Sequence, residues 1–317
     1  MTEIRFVCDG GSSQGMGHVY GSLAVADAVA SEVDEVRFSL PEGAETARAK
    51  VREWGYGLAP WSHLTTGGMS TVDCVVVDLP QPKPELVTNV AADRTIVYGN
   101  PETNVPMAVC EAADWVVTPL DLSDGFTGKT RQVAGAVHLI GPSFLILRDE
   151  ILCSARTYET DSLERVLLAF GGADPSNLTC DFLVELPGTL DVQVEVVVGP
   201  AFDHHERLLS VRQESDGDAI RIHEDTDKMG TLIHRSDLVV TSPGLTMLEA
   251  ISIGVPTVGV VQNDDQLRAF SDVDFVYEAV GDIEEFLVQS YNETEPPTAA
   301  VGSERQHVID AITGNMQ

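Results

Sequence analysis

Three glycine-bearing turns carry the residue types that can do chemistry on a phosphate-bearing substrate. The first, Asp9-Gly10-Gly11-Ser12-Ser13-Gln14-Gly15-Met16-Gly17-His18, joins an apolar run to a helical stretch at 19–30. Glycines there let backbone N–H groups approach a ligand, and a helix start favours negative charge. His18, at the junction, can take a proton from a hydroxyl or a water, because imidazole titrates near neutral pH. The helix start should lower its pKa and keep the ring neutral. The plainer alternative is a histidine that only caps the helix. A dinucleotide fingerprint is not completed: Gly15-x-Gly17 is followed by His18, and no clear ribose-binding acid follows Leu40.

The second turn is Phe170-Gly171-Gly172-Ala173-Asp174-Pro175-Ser176-Asn177-Leu178-Thr179, where Asp174 or Ser176 can cap the following helix. It suits either a phosphate or substrate loop or a tight strand-to-helix turn. The third turn is the most informative. The run Asp237-Leu238-Val239-Val240-Thr241 feeds Ser242-Pro243-Gly244, and Leu245-Thr246-Met247-Leu248-Glu249 opens a helix that Gly254-Val255-Pro256 ends. The exposed N–H groups of such a helix suit a diphosphate. Glu249, one turn in, can accept hydrogen bonds from a ribose diol, or can serve only as a capping-box or helix-dipole acid. A further apolar run at 258–261 delivers Gln262-Asn263-Asp264-Asp265-Gln266 to the same edge. His204-His205 has no second ligand pair at metal spacing, and the Walker pattern is absent.

These turns need strands to position them. Short β-branched runs at 4–8, 35–40, 73–78, 95–98 and 115–118 form one series, and runs at 165–170, 192–198, 219–223, 238–241 and 257–261 form a second. Uninterrupted Cys74-Val75-Val76-Val77 implies burial on both faces, hence a parallel sheet between helices. Each series opens on a strand with a Gly-rich turn and contains an Asp-led strand, at Asp114 and Asp237, which suggests two doubly wound domains. Gly141-Pro142 and the polar stretch at 154–162 place the boundary between them, giving domains at 1–150 and 151–317. The segment at 302–312 has helical spacing and 292–298 suits a solvated loop.

At 317 residues and 43% apolar composition, both halves can bury a core. No apolar run approaches the roughly 18 residues of a membrane span, and the start of the chain shows no signal peptide. The five cysteines are odd in number and scattered, which suits buried thiols and, with the missing signal, a cytoplasmic protein. Fifty acidic residues against 19 basic give a formal net charge of −31, with only four lysines. A phosphate backbone needs a basic surface, so nucleic acid is not the partner. Dispersed acids of this density suit a halophilic host, where salt screens self-repulsion. The melting temperature should therefore rise steeply between dilute buffer and molar KCl; a salt-independent calorimetric melt would refute that origin.

Taken together, Gly15-Met16-Gly17-His18, the segment from Leu168 to Thr179, and Gly244-Leu245-Thr246-x-x-Glu249 with Gly254-x-Pro256 resemble the GT-B superfamily of nucleotide-sugar enzymes. The middle segment resembles the PseG family, hydrolases that release a diacetamido trideoxy sugar from UDP, and the chain is more distantly similar to MurG-type glycosyltransferases. The resemblance implies two Rossmann-like domains facing across a cleft, and metal-independent cleavage at the anomeric carbon of a UDP-sugar without a cofactor. It implies His18 as base with Asp265 at the catalytic centre, and Gly172, Gly244, Leu245, Thr246 and Glu249 at the nucleotide. It also implies Gly17, Asp78, Asn177 and Gln266 at the sugar. This chain has Leu79-Pro80 where the family continues Asp-x-Tyr, and Asp265 where it has Asn, so water and sugar should be held differently. Inverting transfer to a sugar or lipid-linked acceptor, and a catalytically silent sugar-nucleotide binder, are the rival readings.

Overall fold

The structure is a computed structural model that describes residues 1–12, 15–62, 64, 72–101, 104–152, 162–185, 192–214, 219–270, 272–294 and 300–315. The chain divides into two compact units, Met1–Leu147 with Ala300–Gln317, and Arg148–Ala299. Unit 1 holds an eight-stranded sheet and unit 2 a six-stranded one.

In unit 1 the strands are β1 (Glu3–Cys8), β2 (Glu35–Ser39), β3 (Gly57–Leu58), β4 (Val72–Asp78), β5 (Ala92–Tyr98), β6 (Trp115–Thr118), β7 (Lys129–Val133) and β8 (Ala136–Ile140). Their order is β3-β2-β1-β4-β5-β6-β8-β7, and every pair is parallel except the β7–β8 hairpin. The Val-rich centre of β4 is buried, as expected of a strand with helices on both faces. The hairpin escapes a sequence reading because β7 is polar and exposed. It turns on Ala134 and Gly135, both at positive φ (51° and 97°), which is the demand of a two-residue hairpin without the usual Asn-Gly signal.

Unit 2 contains β9 (Arg165–Ala169), β10 (Gln193–Val198), β11 (Ile220–Glu224), β12 (Leu238–Thr241), β13 (Thr257–Val260) and β14 (Val276–Tyr277), all parallel in the order β11-β10-β9-β12-β13-β14. Its core gathers Val166, Leu168, Val196, Val240 and Val258 from the sheet with Phe170 and Phe182, whose rings lie 5.2 Å apart. The internal repetition has a structural basis, with a shifted correspondence. Asp237 at the foot of β12 accepts from Arg165 N at 2.8 Å on β9, and its topological equivalent is Asp73, which accepts from Glu3 N at 2.8 Å on β1. Asp114 holds Thr95 N on β5 in the same manner. Asp73 and Asp237 each satisfy the first amide of a neighbouring strand, and Asp114 satisfies the β5 amide just before the β5–β6 pairing begins at Ile96.

The expectation of a second domain running unbroken to residue 317 is corrected. The last helix, Arg305–Thr313, buries Val308, Ile309, Ala311 and Ile312 in unit 1. It lies against the helix Gly17–Val29 and against β4 and β5. Gly302 N and Glu304 N bond the carbonyls of Pro142 and Ser143, and Arg94 Nη2 bonds the Ile312 carbonyl at 3.2 Å. Its apolar stripe needs a sheet face, and β4–β5 supplies one. The helix Ile283–Glu293 extends into the stretch expected as loop, while 295–299 lies outside the described residues. No helix among the described residues is long and apolar enough to cross a membrane.

Candidate functional site

Both sheets reverse strand order beside their first strand, between β1 and β4 in unit 1 and between β9 and β12 in unit 2. Loops leaving the carboxyl ends of such strand pairs diverge and open a crevice, the usual ligand site of doubly wound sheets. The first and third chemistry-bearing turns, with Asp78, fall at these two places.

In unit 1, Asp78 is the last residue of β4 and His18 the second residue of the helix Gly17–Val29. His18 Nδ1 lies 2.6 Å from Asp78 Oδ1, and Ser22 Oγ donates to Asp78 Oδ2 at 3.3 Å. Ser22 is one turn beyond His18, on the same helical face. Asp78 is buried and the His18 side chain is 31% exposed. With Nδ1–H held by the carboxylate, Nε2 keeps its lone pair for a substrate proton. The helix has no side-chain cap, so the capping reading of His18 is set aside.

The expectation of a lowered His18 pKa is also corrected. Burial is the largest influence and pushes it down, but the Asp78 charge, the hydrogen bond to Asp78 and the charge of Asp9 together hold it above the usual 6.5. A full charge in hydrogen-bond contact outweighs the partial charge, about +0.5, of a helix start. Asp78, expected at the sugar, has both carboxylate oxygens engaged inside the unit. Pro80 offers no phenol; its carbonyl accepts from Asn104 Nδ2 at 3.2 Å. A phenol is nonetheless present beside Asp78, on its β5 partner Tyr98, whose buried hydroxyl has no hydrogen-bond partner among the described residues. Strand register, not sequence distance, brings it there. Gly17, the first residue of the helix, is exposed at the turn.

In unit 2, Ser242-Pro243-Gly244 leads from β12 into the helix Leu245–Ile253, which has no side-chain cap. Gly244, Leu245 and Thr246 are half-buried at the start of that helix. The helix stops at Gly254, left-handed at φ 88°, with Gly254 N and Val255 N both bonding the Ala250 carbonyl. Helical side chains lean toward the N-terminus, which carries the Glu249 carboxylate back toward the turn. Glu249 is buried, and Arg148 Nε and Nη2 each contact its Oε1 at 2.9 Å. That ion pair replaces the capping-box and dipole readings of Glu249.

The second turn is braced within the unit. Asp174 accepts from Leu178 N at 3.0 Å and Thr179 N at 2.9 Å, capping the helix Leu178–Glu185 as expected. Gly172 O accepts from Ala201 N, and a Cβ on Gly199 would lie 2.5 Å from Gly172 Cα, so the two loops touch backbone to backbone. Asp174 and Asn177 sit at positive φ, 44° and 56°, which costs conformational energy in a non-glycine residue. Asn177 is buried, and among the described residues its Oδ1 has no hydrogen-bond partner.

Gln266 and Asp265 stand differently from their expected roles. Gln266 Oε1 accepts from Gln262 N at 2.8 Å, and its Nε2 donates to Pro243 O at 3.2 Å, so the amide ties the β13 loop to the Ser-Pro-Gly turn. Gln262 in turn donates to Phe170 O at 2.7 Å and accepts from Ser176 Oγ through its own carbonyl at 3.0 Å. The three loops of the unit 2 edge are thus one hydrogen-bonded assembly. Asp265 is 86% exposed and pairs with Arg268 one turn on. Sequence reasoning missed Arg148; its signal was a rare cation in an acidic chain, placed directly after the apolar run Phe144-Leu145-Ile146-Leu147. Among the described residues no group of three or more His, Cys, Asp or Glu could hold a metal ion.

No protein-family model matches the chain. It is 31% identical over 287 residues to the uncharacterized protein MJ1062 of Methanocaldococcus jannaschii, covering 85% of this chain and 58% of that protein. It is 28% identical over 139 residues to the spore coat polysaccharide biosynthesis protein SpsG of Bacillus subtilis, covering 42% of this chain and 40% of that one. The chain therefore spans about half the length of the curated relatives it matches. Among solved structures it is similar to MurG of Acinetobacter baumannii, with a TM-score of 0.60 at 13% identity and full coverage of both chains. It is also similar to MnaA of S. aureus solved with UDP, at TM-score 0.61 and 11% identity, covering 99% of this chain and 97% of that one. For Anabaena HepE in complex with UDP-glucose the values are 0.53 and 13%, with 99% and 96% covered. Identities this low speak to the fold, which is the pair of parallel-sheet Rossmann-like domains of GT-B proteins.

Proposed function

We propose that this protein cleaves the anomeric C–O bond of a UDP-activated sugar, with His18 as the base and Asp78 as its orienting partner. The observation that carries the reading is the His18–Asp78 contact of 2.6 Å at the strand-order reversal of unit 1, with Nε2 left for substrate. His18 Nε2 takes the proton of the incoming oxygen, which displaces UDP with inversion at the anomeric carbon. The amides of Gly244, Leu245 and Thr246 stabilise the charge that grows on the leaving diphosphate, and Glu249 accepts from the ribose. Support comes from the bound UDP and UDP-glucose of MnaA and HepE and from the polysaccharide role in the name of SpsG. With water as the incoming oxygen this is a PseG-like hydrolase of a diacetamido trideoxy sugar.

A second reading, inverting transfer to a sugar or lipid-linked acceptor, is favoured by Asp265 and Gln266. One is solvent-exposed on Arg268 and the other is consumed by loop contacts, so neither is placed to hold a water. Incubation with UDP-activated diacetamido trideoxy sugars and UDP-N-acetylglucosamine, in high salt with a chelator, separates the two. Hydrolysis releases UDP and free reducing sugar at equal rates without acceptor, and transfer leaves UDP release slow until an acceptor supplies its binding energy. No turnover of any UDP-sugar while UDP still binds would leave only a silent binder.

A further inference from the structure

Glu249 is held asymmetrically. Arg148 Nε and Nη2 both converge on Oε1, each at 2.9 Å, in place of the fork-to-fork arrangement that would occupy both oxygens. Among the described residues Oε2 accepts no hydrogen bond. The remaining face of the guanidinium is fixed as well: Nη1 lies 2.9 Å from Glu150 Oε1. Arg148 thus cannot swivel off Glu249 without also leaving Glu150. It is the first residue of unit 2, and the short helix that follows it, Asp149–Leu152, packs on the helix Leu245–Ile253 that carries Glu249.

The burial of Glu249 gives this clamp a chemical consequence. Its side chain is only 8% exposed, so its protein partner and not bulk water sets how the carboxylate stands. Arg148 occupies Oε1 and so fixes which oxygen is free. We infer that Arg148 is the positioning residue of the ribose site: it holds Glu249 by Oε1 and so presents Oε2 to the ribose hydroxyls of a nucleoside diphosphate. This rests on the reading of Glu249 as the ribose ligand.

The test is calorimetric titration of the full chain with UDP and with 2′,3′-dideoxy-UDP, which lacks both hydroxyls. The wild type should prefer UDP by about tenfold or more, the worth of hydrogen bonds to a charged acceptor. Arg148→Lys keeps the charge but not the planar fork. It should lose most of that preference through weaker UDP binding, with dideoxy-UDP affinity unchanged within about twofold. Equal losses for both nucleotides, or none, overturn the inference. Glu249→Gln distinguishes the underlying reading: if it leaves UDP affinity intact, the ribose assignment falls and the inference with it. If it weakens UDP while Arg148→Lys does not, only the role of Arg148 falls. Should Arg148→Lys not fold, a structure of the wild-type UDP complex decides. Arg148 remaining on Oε1 with a ribose hydroxyl on Oε2 supports the inference, and Arg148 withdrawn from Glu249 overturns it.

Discussion

Replacing His18 by alanine is expected to lower turnover of the UDP-sugar by about 100-fold or more, the range for loss of a general base. UDP affinity should be unchanged, because the Gly244 turn and Glu249 lie in the other unit. The pH profile carries the sharper signature. The ring must be neutral to accept a proton, and the charge of Asp78 holds its pKa above 6.5 against the lowering effect of burial, so kcat/KM should rise with pH through a midpoint above 6.5. In Asp78→Asn both the charge and the charged acceptor disappear while burial remains, so that midpoint should move down. Turnover should fall as well, since an amide no longer enforces the Nδ1–H tautomer. The same linkage gives a stability sign. A histidine with a raised folded pKa stabilises the fold fully below its unfolded value near 6.5, and that contribution fades as pH climbs through the folded value. Near-normal turnover in folded His18→Ala, or an unmoved acid limb in Asp78→Asn, would remove the dyad from the mechanism.

The second large effect belongs to Glu249. Changing it to glutamine should weaken UDP binding by roughly 1.5–3 kcal/mol, or about 10- to 150-fold, because hydrogen bonds to a charged acceptor are replaced by neutral ones. The substitution also removes one of the two carboxylates paired with Arg148, leaving Glu150, and breaking a buried pair from one side is destabilising. Affinity should therefore be measured alongside the melting temperature, at a temperature where wild type and variant are both folded. A lower melting temperature with unchanged UDP affinity would make Glu249 a packing residue of unit 2 and not a ligand.

Much of this arrangement is legible from residue order alone, and what is not has identifiable causes. Continuous apolar runs such as Cys74–Val77 announce buried parallel strands, and the turns at His18 and Gly244 announce a strand-to-helix junction in each unit, because glycine, proline and helix-start residues act locally. The pairings are different. His18 and Asp78 are 60 residues apart, and Arg148 and Glu249 are 101 apart, so only the strand order and helix packing bring them together. The family resemblance implies Asp78 and Gln266 at the sugar, and it carries no sign of the neighbours that hold them within their own units. The hairpin β7–β8 and the two-residue strands β3 and β14 carry no periodicity long enough to detect.

The placement of the last helix matters for how the molecule comes into being. Unit 1 lacks residues 300–315 until all of Arg148–Ala299 has been synthesised, which at about 5–20 residues per second is a wait of roughly 8–30 s. During that wait the face of β4 and β5 later covered by Val308, Ile309 and Ile312 stays open, a loss of roughly 5–9 kcal/mol of apolar burial. That is comparable to the whole stability of an ordinary domain. Unit 2, contiguous in the chain, is therefore the one that can complete itself first on the ribosome, and unit 1 closes around strands made well before its last helix.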